Sequence, residues 1–333
     1  MNLKIYSDLR WPSATGIGLV KEEIIKRLPH SAKIIDLKLR TRIGSPLSPF
    51  EFGWALRHAG DVGGVAWSAG FIPPYPTKVP SVVTVHDLTH LHFYSSLHRE
   101  YYKKILRPLY KRCARVICVS KYSRDEFVSW SGIDEEKVSI VFNGVSDIFH
   151  ENLMSAQFDF PYIFYPGNKR NYKNLARLIA AFAQSSLADL NFHLVMTGSP
   201  CAELERLSHT LGIKDRLLFA GVVSVQRLAE LYRGAAFVSF VSLYEGFGLP
   251  ILEAMASNTP VLTSNCASMP EIAGGAALIV DPLSVESIAL GMRDLAEDGG
   301  LRSKLVELGA ARVKEFSWDK CAKKTWQLVS ACA

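Results

Sequence analysis

The chain has 333 residues, too many for one small domain and enough for two of ordinary size, each burying its own core. Apolar residues at 48% and charged residues at 21% exclude a disordered chain, and a formal charge of +6 favours anionic partners such as phosphates, nucleotides or an acidic membrane surface without demanding any. The start MNLKIYSDLRW lacks the basic region of a secretion signal, no apolar run reaches the roughly 18 residues of a spanning helix, and six scattered cysteines without C-x-x-C fit neither a disulfide framework nor a zinc site. The expectation is a reduced, cytoplasmic protein, soluble or peripheral to a membrane.

Short apolar runs alternate with amphipathic stretches, the pattern of α/β chains wound around parallel sheets. Residues 3–7 (LKIYS) read as a strand and 18–28 as a helix, followed by strands at 32–37, 64–68, 81–85, 115–120 and 138–145. A polar stretch over 146–159 separates the halves. The pattern then restarts with a strand at 162–167, a helix at 173–184, and strands at 192–198, 217–221 and 236–240. A helix at 249–256 and strands at 259–264 and 276–280 complete it. Two Rossmann-like halves follow, and in such sheets ligands sit at the carboxyl ends of strands.

Two stretches carry the chemistry. In SLYEGFGLPILEAMASNTPVLTS (242–264), Glu245 and Glu253 flank Gly246, Phe247, Gly248 and Leu249. The glycines permit close backbone approach, Pro250 suits a first helical turn, and the helix start presents free amides. By itself the pair also fits a loop charge and a solvated helix residue. In VHDLTHLHF (85–93), His86 and Asp87 fall at a predicted strand end. His90 and His92 would share a face on a strand and diverge on a helix, so a metal site and an isolated functional histidine both remain open.

The 242–264 stretch strongly resembles the retaining glycosyltransferases of family 4, whose GT-B fold sets two Rossmann-like domains facing a central cleft. The core G-F-G-L-P-x-L-E-A-M-A is complete, and Asn258 stands where glycine is usual. FYPGNKRNYKNL (164–175) resembles the family's glycine loop with its basic pair, and TGIG (15–18), CASMPEIAGGAALIVDP (266–282), VSKYSRDEF (119–127), FNGV (142–145) and EFSWDKCAKKTWQLV (315–329) match in the same order. Ser120 reads as a helix cap and Asn143–Gly144 as a turn.

The resemblance implies an acceptor-binding domain over 1–150, a nucleotide-sugar-binding domain over 160–315, and a C-terminal helix at 316–333 crossing back to the first. It implies a donor site of Gly16, Gly18, Gly167, Lys169, Lys173, Glu245, Gly246, Phe247, Gly248, Leu249 and Glu253. Within it Lys173 meets the diphosphate, with Lys169 preferred over Arg170 as the second cation, while Glu245 meets the hexose and Glu253 the ribose. Glu271 would help organise the pocket. His86, Glu245 and Lys173 are the implied catalytic residues, with His86 near the transferred sugar and no metal or other cofactor. The donor is a nucleotide diphosphate sugar, GDP-mannose first, because the SLYEGFGLP and HDL variants look most like bacterial polysaccharide mannosyltransferases, with UDP-glucose, UDP-N-acetylglucosamine and dTDP-rhamnose left open.

The acceptor would be a glycan or a lipid-linked glycan. The basic segment 99–115, with Tyr101, Tyr102, Ile105, Leu106, Leu109 and Tyr110 interleaved and Pro108 kinking or dividing it, could rest on the inner membrane. Nucleic acid is not expected, since no binding motif accompanies the charge. A sugar-nucleotide epimerase, a non-catalytic scaffold and a metal hydrolase are the competing functions.

Overall fold

The computed structural model describes residues 3–59, 63–151 and 154–333. The chain forms two compact units, Met1–Gly144 with Ser317–Ala333, and Val145–Phe316. Each is built on a parallel six-stranded sheet.

In the first unit β1 (Leu3–Ser7), β2 (Ala32–Asp36), β3 (Val65–Ser68), β4 (Ser81–Val85), β5 (Arg115–Cys118) and β6 (Val138–Ile140) lie in the order β2-β1-β3-β4-β5-β6. The strand order reverses between β1 and β3. The central strands are covered on both faces, which is why VAWS and SVVTV are buried at every position.

Predicted strands overrun by one or two residues at several carboxyl ends, and 138–145 overruns most, since pairing stops at Ile140. Asn143–Gly144 makes no turn. A Cβ on Gly144 would come within 2.2 Å of the Trp318 amide, so this glycine serves the close approach of two backbones. The last helix, Trp318–Ser330, packs on helix Gly16–Ile25, where Trp326 Nε1 donates to the Ile24 carbonyl at 3.1 Å and its ring meets Trp67 edge-on at 4.9 Å.

Of two further helical stretches in this unit, the first lies where no element was predicted and the second in the basic segment. Helix Ser48–His58 carries Pro49 in its first turn. Residues 96–110 form one helical run, α at Ser96–Tyr101, π at Tyr102–Leu106 and α at Arg107–Tyr110. Pro108 therefore does not divide the segment. Proline has no N–H for the carbonyl four residues back, and the wider π-turn just before it absorbs the mismatch.

In the second unit β7 (Tyr162–Tyr165), β8 (His193–Met196), β9 (Leu217–Phe219), β10 (Phe237–Phe240), β11 (Val261–Ser264) and β12 (Leu278–Val280) take the order β12-β11-β10-β7-β8-β9. This is the doubly wound dinucleotide-fold order, with its switch point between β7 and β10. The helix predicted at 173–184 begins at Leu175, after a tight turn at Asn171–Lys173. Among the described residues no helix is long and apolar enough to cross a membrane.

A candidate active site at a sheet switch point

Loops leaving β7 and β10 diverge at the switch point, and this is where Lys173 and Glu245 meet. Lys173 Nζ lies 2.6 Å from Glu245 Oε1, with side-chain exposures of only 10% and 14%. Asn174 holds the lysine in place. It adopts the left-handed region at φ 64°, which asparagine tolerates, and its amide donates to the carbonyls of Val241 (3.0 Å) and Pro282 (2.7 Å). The Lys173 ammonium also lies over the rings of Phe240 and Tyr172, at 5.0 and 5.3 Å from their centroids.

The Glu245 loop is held from below. The Ser268 hydroxyl is within bonding range of the Glu245 and Phe247 carbonyls, at 2.9 and 2.7 Å, and Phe247 meets Phe316 edge-on. Gly246, Phe247 and Gly248 are buried, and Gly248 at φ +105° takes a conformation that a side chain would strain. Helix Leu249–Ala256 follows directly and carries Glu253 on its second turn. Tyr232, wholly buried on the preceding helix, donates its hydroxyl to Glu253 Oε2 at 2.6 Å. Burial pushes the Glu253 carboxyl up to about 7, and the Tyr232 hydrogen bond only partly opposes this. Asn258 stands in the left-handed region at φ 56°, so the departure from glycine keeps the turn.

Other expected donor residues are placed differently. Lys169 lies 3.3 Å from the Thr197 carbonyl and over the Phe219 ring, toward β8 and β9, on the other side of β7 from Glu245. Burial lowers its ammonium pKa. Arg170 is exposed. Gly167, at φ +138°, donates its amide at 2.8 Å to Oγ1 of Thr197, just beyond β8, so that N–H is already satisfied. Glu271 is half-buried, and its carbonyl accepts from Arg312 at 2.7 Å.

Gly16 and Gly18 open helix Gly16–Ile25 in the first unit, capped by Thr15, whose hydroxyl accepts from the Gly18 amide at 3.0 Å. They differ in kind. A Cβ on Gly16 meets open space, whereas one on Gly18 would lie 1.9 Å from the Pro12 carbonyl oxygen. Gly18→Ala should therefore cost about 1–3 kcal/mol or more in urea unfolding, and Gly16→Ala close to nothing. Equal stability of the two variants would reject this packing role. Lys21, in the position of the missing third glycine, donates to the carbonyls of Leu9 (3.1 Å) and Trp11 (2.7 Å) and straps the loop down.

The histidine cluster comes apart. His86 is half-buried beyond β4, with Nε2 2.7 Å from the Ala69 carbonyl. A carbonyl only accepts, so Nε2 carries the proton and Nδ1 is the acceptor. Burial lowers its pKa, favouring this neutral ring. The Asp87 carboxylate accepts from the Thr89 amide at 2.9 Å, a loop-stabilising role. His90 and His92 sit on one helical turn and diverge: His90 Nδ1 lies 2.9 Å from the Tyr102 hydroxyl, and His92 Nε2 lies 2.5 Å from the Glu126 carboxylate. Among the described residues no three His, Cys, Asp or Glu side chains converge as metal ligands. His90 and His98 instead line a 530 Å³ cavity with Arg42, Phe71 and Tyr102.

Two side chains central to this geometry, Tyr232 and Asn174, carried no site role in the sequence reading. Asn174 had a signal, since it directly follows Lys173. Tyr232 had none, because its partner lies 21 residues away on another helix.

Comparison with known proteins agrees with this arrangement. Residues 155–312 match the family model described as glycosyl transferases group 1, and residues 55–147 match glycosyltransferase family 4. The chain is 27% identical over 295 residues to an O-antigen chain mannosyltransferase B of Escherichia coli, covering 84% of this chain and 77% of that protein. It is 29% identical over 203 residues to the O-antigen chain mannosyltransferase RfbU of Salmonella typhimurium, covering 60% and 56%. The fold superposes on Anabaena HepE, solved with UDP and glucose, at a TM-score of 0.78 and 15% identity over 99% of this chain and all of that one. With both sheets and both family matches in place, the chain belongs to the retaining glycosyltransferases of family 4, on the GT-B fold, and resembles bacterial mannosyltransferases of polysaccharide assembly.

Proposed function

We propose that the chain transfers a hexose, mannose from GDP-mannose first among the candidates, to a hydroxyl of a lipid-linked glycan in surface polysaccharide assembly. The second unit would hold the donor and the first the acceptor, at the cytoplasmic face of the membrane. The observation that carries this reading is the buried Lys173–Glu245 pair at the switch point, with Glu253 on the helix that follows.

Departure of a nucleoside diphosphate leaves negative charge on phosphate and positive charge on the sugar. Lys173 answers the first, together with helix-end amides and without a metal ion. When the diphosphate draws the ammonium, Glu245 is released to accept hydrogen bonds from hexose hydroxyls. Glu253, once ionised, accepts both ribose hydroxyl hydrogens. His86, neutral and with Nδ1 as acceptor, takes a hydroxyl hydrogen of the transferred sugar.

The mannose assignment is supported by the mannosyltransferases among the relatives, while the glucose and UDP of the HepE structure keep UDP-glucose as its rival. Thermal shift against GDP, UDP, dTDP and their sugars, with and without EDTA, tests the reading. Stabilisation by GDP and GDP-mannose, unchanged by EDTA, is the expected result. Stabilisation by UDP alone would replace the donor, and none by any nucleotide would overturn the assignment.

A further inference from the structure

The basic segment 99–115 has already spent its apolar side chains. Tyr102, Leu106, Leu109 and Tyr110 are buried in the core of the first unit, so this segment offers charge and no greasy face. That face lies elsewhere, on helix Ser48–His58. Phe52 and Leu56 turn inward, at 0% and 3% exposure, while Leu47, Phe50 and Trp54 stand 63%, 41% and 60% exposed. Spacings of three and four residues align the exposed three in one stripe. Apolar side chains of this size, contiguous and uncovered, mark an interaction surface.

The stripe adjoins the basic segment. Phe50 meets the Tyr75 ring edge-on at 6.0 Å, and the Arg112 guanidinium lies over that same ring at 5.2 Å. Residues 38–58 carry Lys38, Arg40, Arg42 and Arg57 against one acid, Glu51, and residues 96–112 carry six basic side chains against Glu100. These two stretches are net +3 and +5, against +6 for the whole chain, so the positive charge is concentrated here. All ten basic side chains except Arg107 are exposed. The two acids are engaged: Glu51 accepts from the Arg40 and Thr41 amides, and Glu100 pairs with Lys104 at 2.9 Å.

The geometry points to an anionic bilayer surface as the occupant, with Leu47, Phe50 and Trp54 seated at the headgroup boundary and the surrounding arginines and lysines on lipid phosphates. A second copy of this chain would set like charge against like charge around the same stripe, which disfavours it. The inference rests on the peripheral placement proposed above and names the side chains that carry it.

The test uses the full chain with vesicles of phosphatidylcholine alone or mixed with phosphatidylglycerol. The chain should sediment with the mixed vesicles, weakly with the neutral ones, and come off in high salt. Phe50→Ser with Trp54→Ser should keep the melting temperature and the nucleotide-induced shift yet bind about tenfold more weakly or worse. Bromine-labelled lipid should quench the wild-type fluorescence, and Trp54→Phe should lose that quenching while still bound. Unchanged vesicle binding by the double variant, equal binding to neutral vesicles, or a solution dimer that the double variant converts to monomer would each overturn the proposal. Vesicle binding that persists where no nucleotide stabilises the protein would count against the donor reading and leave this surface standing.

Discussion

Lys173→Ala should lower the transfer rate at saturating donor by a factor on the order of 10² to 10³, the scale seen when one group facing developing charge is removed from a water-poor site. The same change strips a mostly buried carboxylate of its cation, because Glu245 is paired with this ammonium at 2.6 Å. Unfolding in urea should therefore show a loss of about 3 kcal/mol, the low end for breaking a buried pair. The two effects can be separated. Removing both charges, Lys173→Ala with Glu245→Ala, should restore part of the stability, since no lone charge remains, and none of the rate. Lys173→Arg keeps the charge but replaces a point ammonium with a planar fork, so stability should recover more than turnover. Full turnover in a folded Lys173→Ala protein would reduce the lysine to a counter-ion for Glu245.

The second large effect concerns pH. With its carboxyl near 7, Glu253 is largely protonated at pH 6 and largely ionised at pH 8. A ribose diol donating two hydrogens needs the ionised form, so donor affinity should rise about tenfold across that interval, with a proton released on binding. Calorimetry in buffers of different ionisation enthalpy reads that proton directly. Stability of the free protein runs the other way. The folded-state value lies above the ordinary carboxyl value of 4.5, so this group's stabilising contribution is complete below that pH and is lost as pH climbs through about 7.

Glu253→Ala should flatten the affinity profile and cost about 2 kcal/mol or more of donor binding. Tyr232→Phe removes the hydrogen bond that pulls the carboxyl downward, so the midpoint should move up and affinity lost at pH 7 should return at higher pH. A pH-independent donor affinity in the wild-type protein would remove Glu253 from the ribose.

Much of the fold was legible in the sequence because parallel strands covered on both faces must be apolar throughout. SVVTV, VAWS and HLVM are continuous runs for that reason. The stretch 38–58 was not legible, since helix Ser48–His58 breaks the amphipathic rule by exposing Leu47, Phe50 and Trp54. The π-turn before Pro108 was likewise invisible, because periodicity at that proline is equally compatible with a break.

The sequence by itself determined two doubly wound halves, the placing of Glu245, Glu253 and Lys173 at strand and helix ends, and the family resemblance. Only the tertiary structure decided which charges meet. It joined Lys173 to Glu245 across 72 residues and Tyr232 to Glu253 across 21, and it turned Lys169 aside to Thr197 and Phe219. It also separated His86, His90 and His92 among three different partners. Strand periodicity is a local property written into neighbouring residues, whereas a side-chain partnership depends on sheet order and loop path, which bring together residues with no periodic relation in the chain.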